Sequence, residues 1–110
     1  MIELRGYLNE DGIPCFAKWF DGLNEIAGAR IATALARIAE GNFSQVKGVG
    51  AGVFECRIDF GPGYRVYFGK DGDRIVILLG GGTKQRQQKD ILTAQRYWAN
   101  YRLRKKQENR

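Results

Sequence analysis

Between Val53 and Ile91 the chain reads VFECRIDFGPGYRVYFGKDGDRIVILLGGGTKQRQQKDI, three strand-like runs joined by two tight turns and delivered into a helix. Turns this short can join only antiparallel neighbours, so this stretch dictates a meander. In the first run Phe54, Cys56, Ile58 and Phe60 alternate with Val53, Glu55, Arg57 and Asp59, which puts an apolar face opposite a charged one. Gly61-Pro62-Gly63 supplies the first turn. The second run, Tyr64 to Phe68, carries Arg65 and Tyr67 on one face and Tyr64, Val66 and Phe68 on the other. Asp71-Gly72 is the strongest signal of the second turn. Ile75 to Leu79 is continuously apolar, the pattern of a strand covered on both sides. Gly80-Gly81-Gly82 then either ends that strand or lets backbone approach a ligand. The expected product is one apolar face beneath a second face that displays Glu55, Arg57, Arg65 and Lys84.

The rest of the chain supplies what covers this sheet. Ile2 to Tyr7 reads as a short edge strand. Pro14 suits the first turn of a helix, and Phe16, Trp19, Phe20 and Leu23 follow at helical spacing. Asn24 to Gly28 reads as a break or kink. Ile31, Ala34, Leu35 and Ile38 mark a second helix that stops at Gly41-Asn42. The two helices are expected to form an antiparallel hairpin over one side of the sheet. Phe43 to Gly52 reads as a glycine-punctuated connector; it lacks the strand and the Gly-Lys-Ser/Thr ending of a phosphate loop. A last helix is expected from about Asp90, with Ile91, Ala94, Trp98 and Tyr101 as its stripe and a basic end that includes Arg102, Arg104, Lys105 and Lys106. Gln107 to Arg110 is expected to fray. A chain of 110 residues suits a single domain, 1–110.

Charge is unevenly placed. The whole chain carries +6, but residues 1–52 sum to −1 and residues 53–110 to +7. A basic half on a small domain points to a polyanionic partner, nucleic acid above all, although a solvated basic surface has the same composition. There is no histidine, which excludes a His-based ribonuclease, a Ser-His-Asp hydrolase and a His-ligated metal site. Cys15 and Cys56 are too far apart for metal-ligand spacing, and Cys56 falls on the apolar face of its strand. No cofactor or metal is implied. No apolar run is long enough for a signal peptide or a membrane span, so a cytoplasmic protein is expected.

Arg57 and Arg65 fall on neighbouring strands of one hairpin. Two guanidinium groups side by side repel unless an anion or carboxylate lies between them. Glu55 could be that carboxylate, within a surface ion-pair ladder. Alternatively the arginines form a phosphate clamp, since their forks match phosphate oxygens and would stabilise the charge of a phosphorane-like transition state. Lys84 could contact phosphate or assist proton transfer, Glu55 could act as general base, and Tyr67 could stack on a base. Arg86 and Lys89, in the basic run before the last helix, are further candidate RNA contacts. One carboxylate with several cations suits metal-free cleavage of RNA, where the 2′-hydroxyl is the nucleophile.

As a set, these motifs resemble the RelE/ParE superfamily of bacterial toxins, and within it the HigB-like, phage-derived addiction module killer proteins. The resemblance rests on Phe16-x-x-Trp19-Phe20-x-x-Leu23, Gly41-Asn42, Val53-Phe54-Glu55-x-Arg57-Ile58, Gly61-Pro62-Gly63-Tyr64-Arg65-Val66-Tyr67, Leu78-Leu79-Gly80-Gly81-Gly82-x-Lys84 and Asp90-Ile91. It implies an α+β fold: N-terminal helices packed on a twisted, mainly antiparallel sheet, then a C-terminal helix. It implies a ribosome-dependent messenger-RNA endonuclease that arrests translation. The implied partners are a helix-turn-helix antitoxin, messenger RNA on the ribosome and, through the antitoxin, operator DNA. Arg65 matches the basic residue of the central strand that is proposed to stabilise the transition state, Arg57 a basic position on the preceding strand, and Lys84 the group's lysine before the last helix. Glu55 falls where some members carry lysine. The tyrosine or histidine that some relatives carry near the chain end has no counterpart here. Two other readings stay open: a gyrase inhibitor of the ParE branch, and an inactive toxin that serves only as antitoxin partner or co-repressor.

Overall fold

The structure is a computed structural model that describes residues 1–108. The meander forms as the turns require. β3 (Val53–Ile58), β4 (Tyr64–Asp71) and β5 (Ile75–Thr83) pair antiparallel in sequence order. β1 (Glu3–Gly6) adds to β5 in parallel, with Leu4 beside Val76, and β2 (Val46–Gly48) adds to β3. The five-stranded mixed sheet therefore runs β1-β5-β4-β3-β2. β2 lies within what reads in the sequence as a connector; too short to show a period, it is held by Lys47 opposite Glu55 and Val46 opposite Cys56.

Two layers of helix cover the two faces. α1 (Cys15–Asp21) packs on β5, and α2 (Glu25–Ala39) on β3. They share one side of the sheet, but each is held by the sheet more than by the other, so the expected helical hairpin is matched only loosely. Asn24 is not a kink: its Oδ1 accepts from the N–H of Ala27 at 2.9 Å and caps α2. Beneath these helices Phe16, Ile31, Val66 and Phe68 form the larger core.

The opposite face is the one expected to display charge, and here the expectation is corrected. After one 3-10 turn (Lys84–Arg86), α3 (Gln87–Glu108) folds back over this face. It brings Ala94 and Trp98 onto Val53, Tyr67, Ile77 and Leu79. Helix α3 starts three residues before the expected Asp90 and is helical through Gln107 and Glu108; the remainder of the expected frayed end, Asn109 and Arg110, lies outside the described residues. Both faces of the central strands are therefore buried.

The glycine run is also reassigned. Gly80, Gly81 and Gly82 lie inside β5 rather than at its end. Leu79 is the unpaired residue of a bulge, because Tyr67 faces Gly80 while Phe68 faces Leu78. The bulge carries the strand past β1 to Thr83. A Cβ on Gly81 would lie 2.2 Å from the Trp19 ring, and one on Gly82 1.9 Å from the Asp90 carboxylate. The glycines admit side chains of this same chain, one from each helical layer. Gly69 does the same for the Trp98 indole, at 2.4 Å.

Candidate functional site

Strand register assembles the site. Arg57 on β3 stands directly opposite Arg65 on β4, and Arg65 opposite Gly82 on β5. One step along, Glu55 stands opposite Tyr67, which stands opposite Gly80. Arg65 is almost wholly buried, at 7% exposure. Its Nη1 donates to the Gly63 carbonyl at 2.9 Å, and its Nε lies 3.8 Å from Glu55 Oε1. The Lys84 backbone N–H donates to that same Gly63 carbonyl at 2.8 Å. Gly63 has φ +78°, and a Cβ there would meet Arg65 Nη1 at 3.1 Å and Lys84 Cβ at 3.4 Å. One glycine carbonyl in the β3–β4 turn thus ties the start of the last helical segment to the guanidinium of the central strand. Arg57 is exposed and lies 3.3 Å from Asp59, which is also exposed. Such a pair is worth little in water and yields readily to a phosphate. Lys84, Arg86 and Lys89 are exposed on the same end of the sheet, and Arg86 Nε lies 4.0 Å from Asp90 Oδ1.

Two expected roles are corrected by burial. Glu55 is 1% exposed. Its Oε2 accepts from Gln87 Nε2 at 2.8 Å, while Oε1 lies 3.8 Å from both Arg65 and Lys47. Enclosed this way, Glu55 is placed as a brace for Arg65 rather than on the open surface where a general base was expected. Tyr67 is also 1% exposed, packed with Leu79, Ala94 and Trp98, and its ring offers no face to a base. Burial pushes the ionisation of its phenol well above the ordinary tyrosine range, with Glu55 and Asp90 adding to the effect. Alternation correctly placed Glu55, Arg65 and Tyr67 together. It did not reveal that α3 covers them.

Sequence reasoning missed Gln87, Lys47 and Asp90. Gln87 opens α3 and clamps Glu55; no spacing rule marks it. Lys47 was hidden in the unrecognised β2. Asp90 sits over Gly82, and burial pushes its carboxyl above the usual range despite Arg86 and Lys89 nearby. Its Oδ2 and the Tyr67 hydroxyl are buried without a hydrogen-bond partner among the described residues. A carboxylate set into a glycine gap beside a strand end is a signal that Gly-Gly-Gly followed by Asp could have carried.

The arrangement therefore has one buried, oriented guanidinium flanked by exposed cations, Arg57 on one side and Lys84 with Arg86 on the other. Chemically, such a set of cations can hold an anion. A cavity of about 480 Å³ lies elsewhere, between α2 and the β2–β3 edge, and shares only Arg57 with it. No described helix is long and apolar enough to cross a membrane.

An uncharacterised protein of Haemophilus influenzae is 45% identical over 80 residues, covering 72% of this chain and 81% of that protein. The profile of the family described as phage-derived protein Gp49-like (DUF891) matches residues 18–98, from α1 through Trp98 of α3. The chain belongs to that family, a family of RelE/HigB-like addiction module killer proteins.

Proposed function

We propose that this chain is the toxin of a type II toxin–antitoxin pair and acts as a ribosome-dependent messenger-RNA endonuclease. The observation that supports the reading is that the Arg65 guanidinium and the Lys84 backbone meet at the Gly63 carbonyl, with Arg57 directly across the strand pair from Arg65. In this reaction the 2′-hydroxyl passes its proton to solvent water as its oxygen attacks the adjacent phosphorus, the P–O5′ bond breaks, the 5′-oxygen takes up a proton, and a 2′,3′-cyclic phosphate and a 5′-hydroxyl result. Negative charge builds on the non-bridging oxygens. Arg65, held by Glu55 and Gly63, presents its guanidinium to them without reorganisation. Arg57 exchanges its exposed contact with Asp59 for the phosphate. Lys84, exposed beside the Gly63 turn, supplies the ammonium that stabilises or protonates the leaving 5′-oxygen. Arg86 and Lys89 hold neighbouring phosphates. The protein contributes charge and placement; the enclosed Glu55 takes no proton from the substrate.

The test is induction in a bacterial host with primer extension on messenger RNA. The parent chain is expected to arrest growth and produce cuts on translated messages. Arg65→Ala, shown to be folded by circular dichroism, is expected to lower cleavage by roughly 100-fold or more, as does loss of an oxyanion-stabilising donor. Arg57→Ala and Lys84→Ala should each lower it less. Intact messages alongside induced DNA damage would assign the fold to gyrase inhibition instead, and absence of any arrest would leave only an antitoxin-binding role.

A further inference from the structure

A second feature touches the reading above only at Arg57. It is a groove of about 480 Å³ on the α2 side of the sheet, where β2 ends and leaves β3 without an outer neighbour beyond Arg57. Its apolar lining is half-buried Ala34 from α2, Val46 from β2 and Phe60, underlain by the buried Ile38, Cys56 and Ile58. Its charged lining is one-sided, with Arg30, Arg37 and Arg57 against Asp59. Arg30 lies over the Phe60 ring, 4.8 Å from its centre, and walls one end. Arg30 and Arg37 lie two turns apart on the exposed side of α2.

We infer that this groove is the docking site for an acidic, amphipathic segment of a protein partner. Charge complementarity demands carboxylates opposite the arginine rim. The apolar lining demands apolar side chains between them, as when an amphipathic segment lies in a groove. A nucleic-acid strand would satisfy the rim but leave the apolar lining without a partner, since its aromatic wall, Phe60, is already capped by Arg30. Arg57 belongs both to this lining and to the anion surface, so an acidic segment in the groove competes with a substrate phosphate for one guanidinium. Docking here inhibits without covering Arg65. The docking claim stands apart from the ribonuclease reading; only its inhibitory consequence rests on that reading.

The test uses the full chain and three probes: a fluorescein-labelled peptide about four helical turns long with Glu on one face and Leu on the other, a Lys/Leu peptide of the same pattern, and a single-stranded RNA oligonucleotide. Anisotropy gives affinity, and amide chemical shifts locate the contact. The Glu/Leu peptide is expected to bind, with shifts centred on Ala34, Ile38, Val46 and Cys56. Arg30→Glu with Arg37→Glu, both exposed on α2, should weaken it about tenfold or more and should bring in the Lys/Leu peptide. No binding of the Glu/Leu peptide, binding unaffected by the charge reversal, or shifts centred on Lys84 or on the end of α3 would overturn the proposal. So would RNA that occupies the groove in its place. None of these readouts involves RNA cleavage, so a catalytically dead chain would still decide the matter.

Discussion

At the scale of single residues, two glycines and one ion pair carry positional information. Gly81→Ala and Gly82→Ala each push a methyl group into a neighbour already in place, the Trp19 ring at 2.2 Å and the Asp90 carboxylate at 1.9 Å. Each should cost ~1–3 kcal/mol in urea unfolding, the usual cost of overpacking. Gly48→Ala, where nothing lies within 4 Å, serves as the control and should change stability by less than ~0.5 kcal/mol. Comparable losses at all three positions would show that lost backbone freedom, not the two seats, sets the cost. Glu55 and Arg65 form the second case. Removing the carboxylate leaves a guanidinium buried beside Gly63 with only part of its charge answered. Glu55→Ala is therefore expected to destabilise by ~3 kcal/mol, whereas replacing both partners with apolar residues, Glu55→Leu with Arg65→Met, should recover most of that loss. A single variant as stable as the parent would mean that the pair does not position Arg65.

At the scale of elements, α3 decides which polar residues see solvent, and it is tied down at both ends. Gln87 clamps Glu55 at its start. Near its end the Tyr101 hydroxyl donates to Asp71 at 2.5 Å, and Lys105 pairs with the same carboxylate. The Lys105 hydrogen bond first, and that of Tyr101 next, hold the Asp71 carboxyl below its ordinary range. A lowered folded value means that this contribution is complete above the unfolded carboxylate pKa of about 3.9. It is lost as pH falls through the folded value. Burial, then Asp71, pushes the Tyr101 phenol up to about 12, so its part is complete below the unfolded tyrosine value of about 10. That part disappears as pH rises through the folded value. Asp71→Asn should therefore speed amide exchange across Trp98 to Lys105 at neutral pH. The difference from the parent should close in acid, below the folded value of Asp71. Equal exchange in the two proteins at neutral pH would show that Trp98 packing alone holds the helix.

At the scale of the whole molecule, the basic half of the chain resolves into separate surfaces. Arg57 stands across from the buried Arg65 and Lys84 beside it at Gly63, with Arg86 and Lys89 following at the start of the last helical segment, whereas Lys70, Arg102, Lys105 and Lys106 line one cavity near the β4–β5 turn. If RNA binds at the first surface, its affinity should fall with salt, and each phosphate contact should add about −0.7 to the log–log slope for a single strand. Lys89→Ala should reduce that slope by about one contact, and Lys106→Ala should leave it unchanged; the reverse result would move the RNA to the second.

The local part of this architecture was legible in the residues. Alternation at period two assigned Glu55, Arg65 and Tyr67 to one side of the sheet, and the Gly-Pro-Gly and Asp-Gly turns made the strands antiparallel. Those features depend only on near neighbours in the chain. Whether that side faces water is not a local property. It depends on α3 returning from the far end of β5, on Gly82 leaving room for Asp90, and on β2 forming from a stretch too short to show a period. An alternating strand has two faces, and only the segments that pack on them decide which polar group becomes a buried brace and which stays free to meet a ligand.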